Sequence, residues 1–244
     1  MTSGKEEFER MRNGILIRSE TPGQPANPWR KLSEVDPFVF DDDMEEIRRL
    51  NKNRSDEDTS IQMHLLPEPY IGNPHKAKVV LLNLNPGYDS NDYQWHVRPD
   101  FKTSVRRNLL HEEQDFPFYL LHPDFKESPG GQWWRKRLRH LLEKCGEQTI
   151  AQKLCVIEWF PYHSKQASFP SWFSCKSQAY SHWLVQTALR RNAFILLMRA
   201  RRLWKTVLPE LKDVPSLKNP RCAYVNPGNM EDDTYKRICD ALDK

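Results

Sequence analysis

Three polar interruptions in apolar runs are the places where this chain could do chemistry. Lys78-Val-Val-Leu-Leu-Asn-Leu-Asn85-Pro86-Gly87-Tyr88 puts an amide side chain where a run rich in β-branched residues stops. Leu154-Cys-Val-Ile-Glu158-Trp-Phe-Pro161 carries a carboxyl group inside such a run, and Cys222-Ala-Tyr-Val225 is closed by a second Asn226-Pro227-Gly228. Asn85 both donates and accepts hydrogen bonds, which suits it to hold a polar ligand. A carboxylate buried without a partner costs several kcal/mol, so Glu158 needs either an arginine beside it or a task at a site. Asn-Pro-Gly alone is a common turn. The conjunction of all three groups at the ends of strands carries more weight than any one of them.

Other chemistries lack their residues. There is no GxxxxGK[ST] loop in a chain of nine glycines, no GxSxG and no HExxH, which removes the usual signatures of phosphate-loop, serine and zinc hydrolases. His163 follows the second run and can face the same edge, although a lone histidine is more often structural. Five cysteines, Cys145, Cys155, Cys175, Cys222 and Cys239, form no CxxC pair, and their odd number reads as reduced thiols in a cytoplasmic protein. Neither a metal nor a cofactor is expected. The formal charge of +4 permits a nucleic-acid partner without requiring one. No apolar segment approaches the length of about 20 residues that spans a bilayer, and the polar N-terminus resembles no signal or anchor. A membrane partner is therefore not expected.

The elements that must position these groups follow from pattern. A length of 244 residues suits one sizeable core; apolar content is a modest 38%, yet eight tryptophans and eleven phenylalanines supply the material. Residues 1–60 include Thr21-Pro-Gly-Gln-Pro-Ala-Asn-Pro28 and a charged tract from Asp41 to Ser55, which predict an irregular arm with one short helix. Residues 61–244 form the main domain. Leu66 to Pro74 reads as loop because its prolines and glycine break both ladders. The run before Asn85 reads as a strand buried on both faces, in the middle of a parallel sheet, with its carboxyl end at a ligand-binding edge. Tyr88 to His96 is a polar, aromatic stretch, followed by a helix from Thr103 to about Glu112. Phe116 to Pro123 is extended by its prolines.

Trp134, Leu138, Leu141, Leu142 and Cys145 share one helical face, with Arg135, Lys136, Arg137 and Arg139 around them. That basic cluster is either phosphate-facing or a solvated surface. Further strands are predicted at Leu154–Phe160, Ala193–Arg199 and Cys222–Val225. Helices are predicted from Ser177 to Arg191, around Leu203–Leu208 and from Glu231 to Leu242. This alternation argues an α/β protein with a four-stranded parallel sheet and helices on both faces.

Asn85-Pro86-Gly87 after an apolar strand resembles the first motif of the uracil-DNA glycosylase superfamily, in its mismatch-specific and single-strand-selective branches. Glu158-Trp-Phe-Pro161 is similar to the strand ending in Asn-x-Cys-Pro, whose asparagine reads the base. Asn226-Pro227-Gly228-Asn229-Met230 is similar to the loop that enters the minor groove. The resemblance covers about Ala77 to Leu242. It implies a three-layer α/β/α sandwich, base flipping, and metal-free hydrolysis of the N-glycosidic bond. Asn85 would position the attacking water, with Gly87 beside the base and Tyr88 or Phe118 stacking on it, though Phe118 is equally a core residue. The loop Asn226–Met230 would contact DNA, with Met230 a wedge, and Arg135 and Arg139 would contact phosphates.

The departures shift the substrate. Glu158 stands where the family has its base-reading asparagine. A carboxyl group accepts from a cytosine N4 amine and, when protonated, donates to N3; uracil presents the opposite pattern. Asn226 stands where several branches have a catalytic histidine. The leading expectation is a monomeric glycosylase of a modified, cytosine-type base in single- or double-stranded DNA, acting in repair or phage defence. Two other classes stay open: a non-catalytic nucleic-acid-binding module on the same fold, and a hydrolase of free nucleosides.

Overall fold

The computed structural model describes residues 24–54, 59–170, 173–231 and 233–244. The first 23 residues of the predicted arm lie outside them. Four strands form one sheet: β1 (Tyr70–Ile71), β2 (Val79–Asn83), β3 (Leu154–Glu158) and β4 (Phe194–Leu197), in the order β1-β3-β2-β4. The three long strands are parallel, with Asn83 opposite Glu158 in the β2–β3 register. β1 runs antiparallel to β3 at the edge. Every residue of β2 and β3 is buried. Side chains alternate between faces along a strand, so the sheet is covered on both sides and its uninterrupted apolar runs are explained.

The sheet differs from the expected one at its ends. Cys222–Val225 is not a strand; Ala223 has a left-handed backbone (φ 52°), which turns the chain out of an extended path. The fourth strand comes instead from Tyr70–Ile71, inside the stretch read as loop. Its Pro69 carbonyl accepts from Glu158 N, and Gly72 (φ +101°) ends it at once, where a Cβ would meet the Leu154 carbonyl at 2.6 Å. The sheet is therefore mixed rather than wholly parallel.

Eight α-helices surround it among the described residues: α1 (Met44–Lys52), α2 (Asp92–His96), α3 (Pro99–Leu109), α4 (Pro129–Cys145), α5 (Glu147–Lys153), α6 (Gln178–Arg190), α7 (Arg201–Val207) and α8 (Thr234–Asp243). The patterned helices form close to where periodicity puts them. α2 and α5 were not expected, since neither has an apolar stripe long enough to read. Tyr119–Leu121, within the stretch expected to be extended, is a 3-10 turn instead, and a second such turn, Pro123–Phe125, starts at that stretch's last residue. α4 starts cleanly: Ser128 Oγ accepts from Gly131 N (2.9 Å) and Pro129 fills the first turn. Trp134, Leu138 and Leu141 of its apolar face are buried.

The arm is part of the same core. Trp29, Leu32, Val39, Ile47 and Leu50 are buried in the cluster that holds the sheet residues. Asp41–Asp43 forms a 3-10 turn leading into α1, with acidic residues where the helix dipole favours them. No helix among the described residues is long and apolar enough to cross a membrane, and the five cysteines are free thiols.

Candidate functional site

A pocket of about 330 Å³ lies at the carboxyl ends of β2 and β3. That is the low end of the range of about 300–1,000 Å³ typical of small-molecule sites. Its lining includes Asn83, Asn85, Gly87, Tyr88, Glu158 and Trp133. The edge is where an open α/β sheet binds its ligands, and two of the three polar interruptions meet there.

Asn85 is anchored by its amide nitrogen, which donates to the Pro86 carbonyl (2.6 Å) and to the Ser164 carbonyl and Oγ (both 3.2 Å). The loop after β3 runs beside the loop after β2, with Ser164 N donating to the Pro86 carbonyl. With the nitrogen committed, the amide oxygen is the group of Asn85 left to accept from a ligand. Gly87 needs neither a positive φ nor close packing: a Cβ there would meet nothing within 4 Å. Its role is to leave space at the pocket wall rather than to permit a turn.

Glu158 is 1% exposed. Its Oε1 accepts from Asn83 Nδ2 at 3.0 Å, while Glu158 Oε2 and Asn83 Oδ1 have no hydrogen-bond partner. Burial raises its carboxyl to about 8, against the bond from Asn83 and the positive charge of Arg199, which pull it down. The alternative of an arginine ion pair is not what forms. Arg199 instead donates to the Pro220 (3.2 Å) and Arg221 (3.3 Å) carbonyls and stacks over the Trp133 ring at 5.6 Å. Burial thus favours the protonated form of Glu158, which can donate.

A second polar network, buried at Glu68, His96 and His163 and half-buried at Asp92, borders the pocket. His163, which the sequence left ambiguous, has Nδ1 at 2.7 Å from the Gly87 carbonyl and Nε2 at 3.1 Å from the Leu66 carbonyl. Its ring meets His96 edge-on at 5.1 Å. Glu68 accepts from the Tyr119 hydroxyl. Asp92, at the start of α2, accepts from Asp89 N (2.7 Å), and burial raises its carboxyl to about 6 despite the nearby positive potential of His163. Glu68, His96 and His163 bring ligand-type atoms within 4.8 Å of one another. They do not fit a metal. His96 Nδ1 already accepts from Leu66 N (3.2 Å), which puts the proton on its other nitrogen, and both His163 nitrogens face carbonyl oxygens. The cluster braces the Gly87 loop.

The remaining sequence candidates scatter. Phe118 is 0% exposed and packs edge-on against Trp134, outside the pocket lining, so it cannot stack on a ligand. Trp133 and Tyr88 line the pocket, as do Phe101 and Trp134. Met230 is 2% exposed and belongs to the core rather than to a wedge. Asn229 is equally structural: its side chain bonds Asn219 N and the Asn219 and Tyr224 carbonyls. Asn226 Oδ1 caps Asn229 N, leaving Pro227 and Gly228 as the exposed tip. Asn226 does not line the pocket, because it closes a turn rather than a strand.

The basic cluster of α4 divides in the same way. Arg135 donates to the Leu121 carbonyl (2.8 Å) and pairs with Glu147, whereas Arg139 is exposed beside Glu143 at 3.7 Å. Arg137, a member of that cluster, lies between the Trp133 and Tyr224 rings at 4.8 and 4.6 Å. With Arg199 and the exposed Lys165 and Lys136 it makes a basic rim.

Asn83, Asp92, Trp133 and Arg199 are the site residues that sequence reasoning passed over. Asn83 had a signal, since it breaks the apolar run two positions before Asn85 and period 2 puts both on one face. Arg199 ends an apolar strand. Asp92 and Trp133 carried none, because only the packing of α2 and α4 brings them to this edge. No protein-family model, curated protein or solved structure matches this chain.

Proposed function

We propose that this chain is a DNA N-glycosylase of three-layer α/β/α build, related to the uracil-DNA glycosylases, that hydrolyses the N-glycosidic bond of a flipped cytosine-type base. The observation that carries this reading is Glu158, a neutral carboxyl with an unpaired oxygen in the pocket beyond the parallel strands. The mixed sheet, covered on both faces, supports the layered build. The rim of Arg137, Arg199, Lys136 and Lys165 supports a polyanionic partner.

In this reading Asn85 Oδ1 holds the water and Asp92 takes its proton. The water oxygen bonds to C1′ as the C1′–N1 bond breaks, and the electron pair stays on the base. Glu158 delivers its proton to ring nitrogen N3, so the base leaves neutral. Trp133 or Tyr88 stacks on the extruded ring, at about 1–3 kcal/mol for such a contact. No metal takes part in these steps.

Asn85→Ala should abolish base release while leaving DNA affinity within about threefold, since phosphate contacts dominate that affinity. The assay is alkali cleavage of abasic sites in oligonucleotides carrying cytosine derivatives or uracil. Full activity in the variant removes the mechanism. A second reading, hydrolysis of free nucleosides, is favoured by the burial of Met230, which takes away the wedge expected for duplex opening. Release from nucleosides but not from oligonucleotides would select it.

A further inference from the structure

We propose that Asn83 determines specificity together with Glu158: its side-chain oxygen and the Glu158 carboxyl read an amidine edge, an exocyclic amine beside an unprotonated ring nitrogen. The inference rests on the pocket being a base site, and it goes beyond that reading by adding the second reader and the edge it requires. The two residues are register partners on adjacent parallel strands and both line the pocket. One hydrogen bond, Asn83 Nδ2 to Glu158 Oε1 at 3.0 Å, uses one polar atom of each. The remaining atoms, Asn83 Oδ1 and Glu158 Oε2, are buried and have no partner.

Unsatisfied buried polar atoms are rare in folded proteins, and a pair in one pocket calls for a ligand that completes them. Asn83 Oδ1 is an acceptor, since the amide nitrogen is the atom that donates to Glu158 Oε1. Glu158 Oε2 carries the proton and donates, since burial outweighs its neighbours. The groups that act on it are Asn83, Arg199 and Glu68, and the Arg199 guanidinium is held by the Pro220 and Arg221 carbonyls. An acceptor beside a donor matches N4–H and N3 of cytosine, or N6–H and N1 of adenine. Uracil offers a ring N–H and a carbonyl, the reverse order, and would leave both atoms of the pair opposed.

The test uses free nucleobases with the full-length protein, so no turnover is needed. Cytosine, adenine, uracil and 2-pyrimidinone, which is cytosine without its amine, are titrated and binding is read from NMR line broadening of the ring protons. Wild type should prefer cytosine over 2-pyrimidinone by roughly 5- to 150-fold, the cost of one unpaired buried group, and bind uracil no better. The tighter of cytosine and adenine identifies the base class, and either result agrees with the proposal. Asn83→Leu should equalise cytosine and 2-pyrimidinone.

Should that variant fail to fold, Glu158→Gln decides. Its amide nitrogen donates where Oε2 does, so it should keep the amine preference and bind equally at pH 7 and 9, while wild type weakens through pH 8. Equal binding of cytosine and 2-pyrimidinone by wild type overturns the proposal. So do an unchanged preference in Asn83→Leu, parallel pH loss in wild type and Glu158→Gln, or no binding of any base. Amine-dependent binding without release from any oligonucleotide keeps this inference and removes the glycosylase reading. Base release that ignores Asn83 does the reverse.

Discussion

Burial pushes up two carboxyl groups that line one pocket, Asp92 to about 6 and Glu158 to about 8. In the proposed reaction the lower of the two would serve as base and the higher as acid. Burial raises both; Asp92 stays lower because His163 and the Asp89 N–H favour its charged form. As a proton acceptor Asp92 works only when ionised. Activity should therefore rise as pH increases through about 6, in a profile of kcat/KM against pH. Asp92→Asn keeps an acceptor for Asp89 N but cannot take a proton, so it should lower kcat by about 10²–10⁴-fold and abolish that limb. A merely structural Asp92 would give a variant that retains the rise at pH 6.

Helix α4 positions the pocket's aromatic wall, and its arginines have separate tasks. Gly131 is required where the first turn meets the preceding one, since a Cβ would stand 2.2 Å from the Phe125 carbonyl. This close approach, with the Ser128 cap, fixes the angle at which Trp133 reaches the pocket. Arg135 points inward to Leu121 and Glu147, while Arg137 stays with the rim rings. Arg135→Ala should lower the melting temperature and leave the salt dependence of DNA binding unchanged. Arg137→Ala should reduce the log–log salt slope by about 0.9, the value of one phosphate contact. An equal slope change in both variants would return Arg135 to the phosphate-binding set.

Across the whole molecule, the arm packs into the core and is held by a buried carboxyl. Asp43 is buried and accepts from the Tyr162 hydroxyl at 2.8 Å, from Ser177 N at 3.1 Å and from the Ser177 hydroxyl. These bonds join the arm to the segment after β3 and to the start of α6. Burial raises the Asp43 carboxyl, and the bonds from Ser177 and Tyr162 oppose that rise. Asp43→Ala leaves those donors unpaired at about 1–3 kcal/mol each. It should lower stability by several kcal/mol in urea unfolding, with one cooperative transition. Two separate transitions would mean that the arm folds independently of the domain.

Local pattern alone determined the long strands and the patterned helices. The run Val79 to Leu82 is apolar at both alternating sets of positions, which suits a strand covered on both faces. Trp134, Leu138 and Leu141 recur at helical spacing. Asn85 and Glu158 were legible for the same reason: a polar group at the end of such a run stands out, and parallel pairing brings run ends together. What tertiary structure alone decided is what those groups touch. Tyr70–Ile71 becomes a strand because β3 offers an unpaired edge, and Cys222–Val225 does not because Ala223 turns away. Met230 and Phe118 are apolar residues that suit a wedge or a stacking platform as well as a core, and only the packing around them chose the core. The Asn83–Glu158 pair depends on strand register between segments 75 residues apart. Spacing within one segment cannot encode that register, because it is set by the side chains of the other.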